Sequence, residues 1–143
     1  MAERVLFEHK LALRMVPEME IEASEAATAI AREIRMSPDR IDEVRMAVVE
    51  ACINALEHSH AGDQEVSVTF QVLGEQDPEK LRIMVHDNGI GFSPDVLEEP
   101  TMEGKLKAVR KRGWGLKIIK GLMDEVKIRS GAEGTTVVMS KLR

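Results

Sequence analysis

From Glu65 to Val72 apolar and polar residues alternate strictly. Val66, Val68, Phe70 and Val72 share one side, and Glu65, Ser67, Thr69 and Gln71 share the other, the pattern of a half-buried strand. Leu81, Ile83 and Val85 then alternate with Arg82, Met84 and His86, a second such strand that ends at Asp87-Asn88-Gly89, with Gly74 to Pro78 as the turn between. Val5 to Leu13 is short and apolar-rich and predicts a first strand. Pro17 to Met36 has helical spacing, with Ile21, Ala26, Ala27, Ile30, Ala31 and Ile34 apolar and charges between them. A second helix is expected to start at Ser37-Pro38. The Ser37 side chain can accept from a free N–H, and proline suits the first helical position because its missing N–H costs nothing there. That helix should end near His60, before Ala61-Gly62-Asp63. A third helix is predicted from about Trp114 to Met123. Val126 to Arg129 and Thr135 to Leu142 read as a last hairpin across Ser130-Gly131-Ala132-Glu133-Gly134.

The resulting order is β-α-α-β-β-loop-α-β-β. Short turns between strands imply a mixed, mostly antiparallel sheet, and the alternation implies that helices cover only one of its faces. The fold class is therefore α/β, a two-layer α/β sandwich with three helices on one side of the sheet. No repeat, low-complexity tract or domain boundary interrupts residues 1–143, which read as a single domain, and the only long irregular stretch runs from about Gly91 to Arg112.

Composition narrows the classes. With 20 basic and 25 acidic residues the formal charge is −5, which argues against a general nucleic-acid binder. A single cysteine, Cys52, excludes an internal disulfide framework and a cysteine-rich zinc site, and it reads as a packing residue. No apolar run approaches the roughly 18 residues of a membrane span. Met1-Ala2-Glu3-Arg4 is no signal-peptide start, so the expectation is a soluble, cytoplasmic protein.

The second helix carries the first unusual feature. On a helical wheel Val44, Val48, Ala51 and Ala55 form one stripe, while Met46, Val49, Ile53 and Leu56 form a second apolar arc on the far side. A helix apolar on both sides is expected to be largely buried. Between the arcs runs a polar line of Glu43, Glu50, Asn54, Glu57 and His58, in which Glu50 and Asn54 sit one turn apart. Such groups are costly to bury unless something satisfies them. One reading is a solvated edge with Glu50 paired to a Lys or Arg. The other is a cation site, in which Asn54 offers a carbonyl oxygen to Mg²⁺ and Glu50 stands by as a base. Mg²⁺ keeps waters and is completed by substrate phosphates, so a lone oxygen ligand points to a phosphate substrate.

Two glycine pairs supply a phosphate side. Asp87-Asn88-Gly89-Ile90-Gly91-Phe92 follows a strand, and its second glycine is more than an Asn-Gly turn needs. Asp87 at the strand end can accept from an amino group such as that of adenine. Arg112-Gly113-Trp114-Gly115-Leu116 precedes the third helix, whose free N–H groups make an anion site. Between Lys105 and Lys120 lie seven of the 20 basic residues and no acidic one. A solvated basic loop explains the charges alone; a phosphate-neutralising lid explains them together with the glycines. Neither glycine pair is a P-loop or Rossmann fingerprint.

Taken in order, these residues resemble the GHKL (Bergerat) ATP-binding fold of histidine kinases and gyrase-type ATPases. The first box is Glu50-Ala51-Cys52-Ile53-Asn54-Ala55-Leu56-Glu57-His58 and the second Asp87 to Phe92. The third is Gly113-Trp114-Gly115-Leu116, and Gly134-Thr135-Thr136-Val137 is the last. Within that superfamily the chain most resembles the anti-sigma-factor serine/threonine kinases of bacterial partner-switching systems. Leu122-Met123-Asp124-Glu125-Val126 and the Gly-Thr-Thr-Val strand belong to that likeness.

The resemblance implies ATP and Mg²⁺ as cofactors and phosphorylation of a serine or threonine on a STAS-domain antagonist. It implies a sigma factor as the alternate partner, neither nucleic acid nor membrane, and leaves a homodimer open. By the same resemblance Asn54 binds Mg²⁺, Glu50 is the base, Asp87 reads the adenine amino group, and Gly89, Ile90 and Gly91 line the adenine pocket. Gly113, Trp114, Gly115 and Leu116 cradle phosphates, Lys111 and Arg112 cap the γ-phosphate, Thr136 lies on the adenine side, and His58 matches the family histidine. Trp114 is bulkier than the residue the family often has there, and the lid has no pattern that names a target. Three other readings stay open. One is a nucleotide-binding switch without phosphotransfer. Another is the ATPase half of a histidine kinase, against which His9 lies in a strand-like segment with no phosphoacceptor helix before the domain. The third is a zinc site of His58, His60 and His86, although His58 and His60 point about 200° apart on a helix.

Overall fold

Strand β1 (Arg4–Arg14), helices α1 (Met19–Glu33) and α2 (Pro38–His58), strands β2 (Glu65–Gly74) and β3 (Lys80–Asp87), helix α3 over residues 115–122, and strands β4 (Glu125–Gly131) and β5 (Gly134–Leu142) follow one another along the chain. The structure, a computed structural model, describes residues 3–58, 65–87, 115–131 and 134–143, the side chain of His58 excepted. The expected turn at 61–63, the irregular stretch 91–112 and the hairpin tip Ala132-Glu133 lie outside the described residues.

The strands form one sheet in the order β1-β2-β3-β5-β4. All four pairings are antiparallel. Among the described residues no pairing is parallel, because the last hairpin docks on β3 through its second strand, which leaves β4 at the edge. Register aligns whole rows of side chains across the sheet. Leu11, Val68, Val85, Val137 and Ile128 make one row, and His9, Phe70, Ile83, Met139 and Val126 the next. These rows face the helices, and Phe70, Ile83 and Met139 are fully buried there. The opposite face is polar. Across it Arg82 Nε donates to Gln71 Oε1 at 2.9 Å, and Gln71 Nε2 donates to Glu8 Oε1 at 2.7 Å.

The core-facing rows turn polar at both ends. One end is Leu13, Val66, Asp87, Thr135 and Ser130, and the other is Phe7, Val72, Leu81 and Lys141. The helices contribute mostly small residues: Ala23, Ala27 and Ala31 of α1 and Ala47, Ala51 and Ala55 of α2 are all buried. Ile119 and Met123 anchor α3 and the turn after it in the same core.

Element ends follow local chemistry. Ser37 Oγ accepts from Arg40 N at 3.3 Å, the cap expected for α2. α1 ends three residues before Met36, because Arg35 enters the left-handed region at φ 63°. Met36 N then bonds Ala31 O and Arg35 N bonds Arg32 O, each at 3.0 Å, a Schellman closure. The β2–β3 turn requires its glycine, since a Cβ on Gly74 would stand 2.0 Å from Asp77 O. Two expectations from helical spacing fail. Ile21 is half exposed, and the second apolar arc of α2 is covered only in part: Met46 is 52% exposed, Val49 and Ile53 are half-buried, and Leu56 packs against the core. The sheet offers α2 a single face, and the stripe of Val44, Val48, Ala51 and Ala55 takes it.

Candidate functional site

Helix α2 and the start of α3 bring the key polar groups together. A Cβ placed on Gly115 would lie 3.5 Å from Glu50 Oε2 and 4.0 Å from Asn54 Oδ1. Gly115 is the first described residue of α3, so two hard oxygen groups of α2 converge on the first described turn of another helix. Both side chains are half-buried. No lysine or arginine among the described residues pairs with Glu50, which leaves the ion-paired edge reading without a partner there. An alanine at 115 would meet Glu50 at ordinary contact distance, whereas a longer side chain would fill the space between the helices.

Glu50 also borders an open cavity of about 270 Å³, which Ser24, Arg45, Met46, Val49 and Ile118 line with it. Its carboxylate thus lies between Gly115 of α3 on one side and solvent-accessible apolar residues on the other. The volume suits one or two protein side chains rather than a nucleotide.

Asp87 ends β3 in the core-facing row, directly opposite Thr135, and Thr135 Oγ1 lies 3.0 Å from Ser130 Oγ on β4. Thr136 is placed differently. It pairs with His86, and its Oγ1 meets His86 Nδ1 at 2.6 Å on the face of the sheet away from the helices. Strand pleating puts neighbours on opposite faces, so the threonine that shares Asp87's side is Thr135 and not Thr136. Leu116 is half-buried in α3.

Gly89, Ile90, Gly91, Lys111, Arg112, Gly113 and Trp114 lie outside the described residues, as does the side chain of His58. Among the described residues no cluster of three metal-binding His, Cys, Asp or Glu occurs. His86 turns to Thr136, and His60 is outside the described residues, so the zinc reading gains nothing. Cys52 is buried, and desolvation, with Glu20 a smaller cause, pushes its thiol up from 9.0 to about 12. A thiol so hard to ionise is a packing group, as expected. No helix among the described residues is long and apolar enough to cross a membrane.

Residues 15–141 match the family described as Histidine kinase-like ATPase domain. The chain belongs to this family. It is 32% identical over 120 residues to Serine-protein kinase RsbW of Bacillus velezensis, covering 80% of this chain and 72% of the relative. To Serine-protein kinase RsbW of Listeria monocytogenes it is 33% identical over 118 residues, covering 80% and 73%. In fold it is similar to the RsbU and RsbW domains of a Mycobacterium tuberculosis protein, with TM-score 0.69 at 21% identity over 95% of this chain. The present chain spans 32% of that longer one. The family resemblance drawn from the four sequence boxes is therefore met, and so is the two-layer α/β class.

Two buried polar residues of β5, Thr135 and Lys141, were not singled out from the sequence as site candidates. Both share the parity of Val137 and Met139, the core-facing positions of β5. A polar residue on that parity is the signal by which either could have been found.

Proposed function

We propose that this chain is a Mg-ATP-dependent protein serine/threonine kinase of a partner-switching system. It would phosphorylate a STAS-domain antagonist and alternately sequester a sigma factor in the cytoplasm, with residues 1–143 acting as one catalytic domain. The observation that carries the reading is the convergence of Glu50 and Asn54 beside Gly115, on the first described turn of α3.

The chemistry follows from that convergence. Free N–H groups at a helix start attract phosphate oxygens. Glu50 accepts the proton of the acceptor hydroxyl, whose oxygen then bonds the γ-phosphorus as the bond to the ADP oxygen breaks. The cavity beside Glu50, open to solvent, is the approach for the acceptor's side chain. The Asn54 carbonyl oxygen, near a carboxylate and a phosphate-binding turn, is a donor set that suits Mg²⁺. When bound, that ion supplies neutralisation of phosphate charge. Asn54 and Glu50 keep their orientation because α2 is fixed by its buried face.

Asp87, with Thr135 opposite, accepts from the adenine amino group. In the same reading Gly89, Ile90 and Gly91 line the adenine pocket, Gly113 to Leu116 cradle phosphates, Lys111 and Arg112 cap the γ-phosphate, and His58 flanks the nucleotide. Thr136 is left as a partner of His86 rather than of the nucleotide. The outer edge of β1 has no strand beyond it among the described residues, and an open strand edge, here with Val5, Leu6 and Phe7 exposed, supports a homodimer by addition of another strand.

The test is radiolabel transfer from ATP to a purified STAS-domain protein, alongside a pull-down with Mg-ATP or Mg-ADP that identifies the partners. Transfer by the wild type and its near loss in Glu50→Gln are expected. Nucleotide binding without any transfer, in the presence of the STAS protein captured in the pull-down, would instead make the chain a non-catalytic switch.

A further inference from the structure

Lys141 occupies a core-facing position of β5 and is only 5% exposed. Its Nζ donates to Glu43 Oε2 on α2 at 3.2 Å and to the Leu122 carbonyl oxygen at the end of α3. The last carbonyls of a helix have no partner within it, and the negative end of the helix dipole favours a cation. Lys141 therefore closes α3 from outside and ties it to α2.

The spacing of these contacts gives them a functional consequence. Glu43 and Glu50 are seven positions apart on the polar line of α2. Leu122 and Gly115 are also seven positions apart on α3. Each interval is about 10 Å of helix. α3 thus meets the same line of α2 at two points, Leu122 near Glu43 through Lys141 and Gly115 beside Glu50 and Asn54. A second clasp holds the same end of α3. Asp124 Oδ2 accepts from Leu142 N at 2.7 Å, and Arg40 Nη1 donates to Leu142 O at 3.1 Å.

Stability alone does not account for the lysine. An apolar residue would continue the row of Phe7, Val72 and Leu81 and leave Glu43, whose side chain is 37% exposed, to water. We propose that Lys141 is a positioning residue: by fixing the C-terminal end of α3 on Glu43, it sets the register of the α3 N-terminus against Glu50 and Asn54. This rests on the reading that the ATP phosphates sit at that N-terminus.

The test compares Mg-ATP and AMP affinities by calorimetry in the wild type, Lys141→Met and Lys141→Arg, each checked for a cooperative melt. α3 faces the β- and γ-phosphates and not the adenosine, so Lys141→Met lowers ATP affinity about tenfold and leaves AMP affinity within about twofold. Lys141→Arg, which keeps charge and donors, retains more of the ATP preference than Lys141→Met. Should Lys141→Met not fold, Glu43→Gln, at a half-exposed position, is measured in the same way and reduces the ATP-to-AMP ratio about threefold. A folded Lys141→Met with the wild-type ratio, or an unchanged ratio in Glu43→Gln, overturns the positioning role and leaves the phosphate reading standing. A wild type that binds ATP no more tightly than AMP overturns both.

Discussion

The two faces of α2 are built on opposite principles. Toward the sheet and α1 it presents Val44, Ala47, Val48, Ala51, Cys52 and Ala55, all at most 5% exposed. Their small size lets α2 lie close against the alanine stripe of α1. Away from the core it presents Met46, Val49, Glu50, Ile53 and Asn54, which are exposed or half-buried. The inner face fixes where the helix is, and the outer face uses that fixed position to hold a carboxylate and a carboxamide against Gly115. A site placed on a helix with one immobilised face keeps its geometry without spending its own polar groups on packing.

If the faces divide labour in this way, substitutions on them should separate activity from stability. Glu50→Gln should lower phosphotransfer about 10²–10⁴-fold, the usual contribution of a positioned base, with melting temperature and Mg-ATP affinity little changed. A radiolabel assay beside a thermal melt measures both, and wild-type transfer rates would return Glu50 to the role of a surface residue.

Cys52, on the inner face, gives a probe of rigidity. With its thiol pushed up to about 12 from 9.0, native Cys52 should react with a disulfide reagent at pH 8 at least about tenfold more slowly than the unfolded chain. The sign for stability follows. The folded state favours the neutral thiol, so this contribution is complete below pH 9 and is lost as pH rises toward 12. Native labelling at the denatured rate would mean that the inner face opens.

Val48→Ala removes two buried carbons from the same face and should cost about 2 kcal/mol in a denaturant melt. The ATP affinity of the folded fraction should stay near wild type. At the small end, Met46→Ala on the outer face should change stability by no more than about 0.5 kcal/mol, because the side chain is already largely in water. A loss as large as that of Val48→Ala would show that the outer arc is covered in solution.

Much of this molecule was legible before its fold was known, because strand parity and helical period are local properties of a chain. The alternation in 65–72 and 81–85, the Ser37-Pro38 start and the polar line through Glu50 and Asn54 all appear in the structure where the pattern placed them. The four boxes carried the family likewise. Helix ends were less legible: nothing in the residue type of Arg35 announces a left-handed turn, which glycine more often supplies.

What the sequence alone determined was each element and the direction of its side chains. What lies opposite those side chains was decided by tertiary structure. A wheel places Met46 and Val44 on different arcs but cannot say which arc the sheet will cover. The Gly-Thr-Thr segment offers two hydroxyls, and only the pairing of β5 with β3 selects Thr135 as the neighbour of Asp87. Glu50 and Gly115 are 65 positions apart, and Glu43 and Lys141 are 98 apart, so no local period links them. Their meeting depends on the docking of α3 and β5 on a shared core, which is settled by packing summed over the whole chain and not by any short stretch of it.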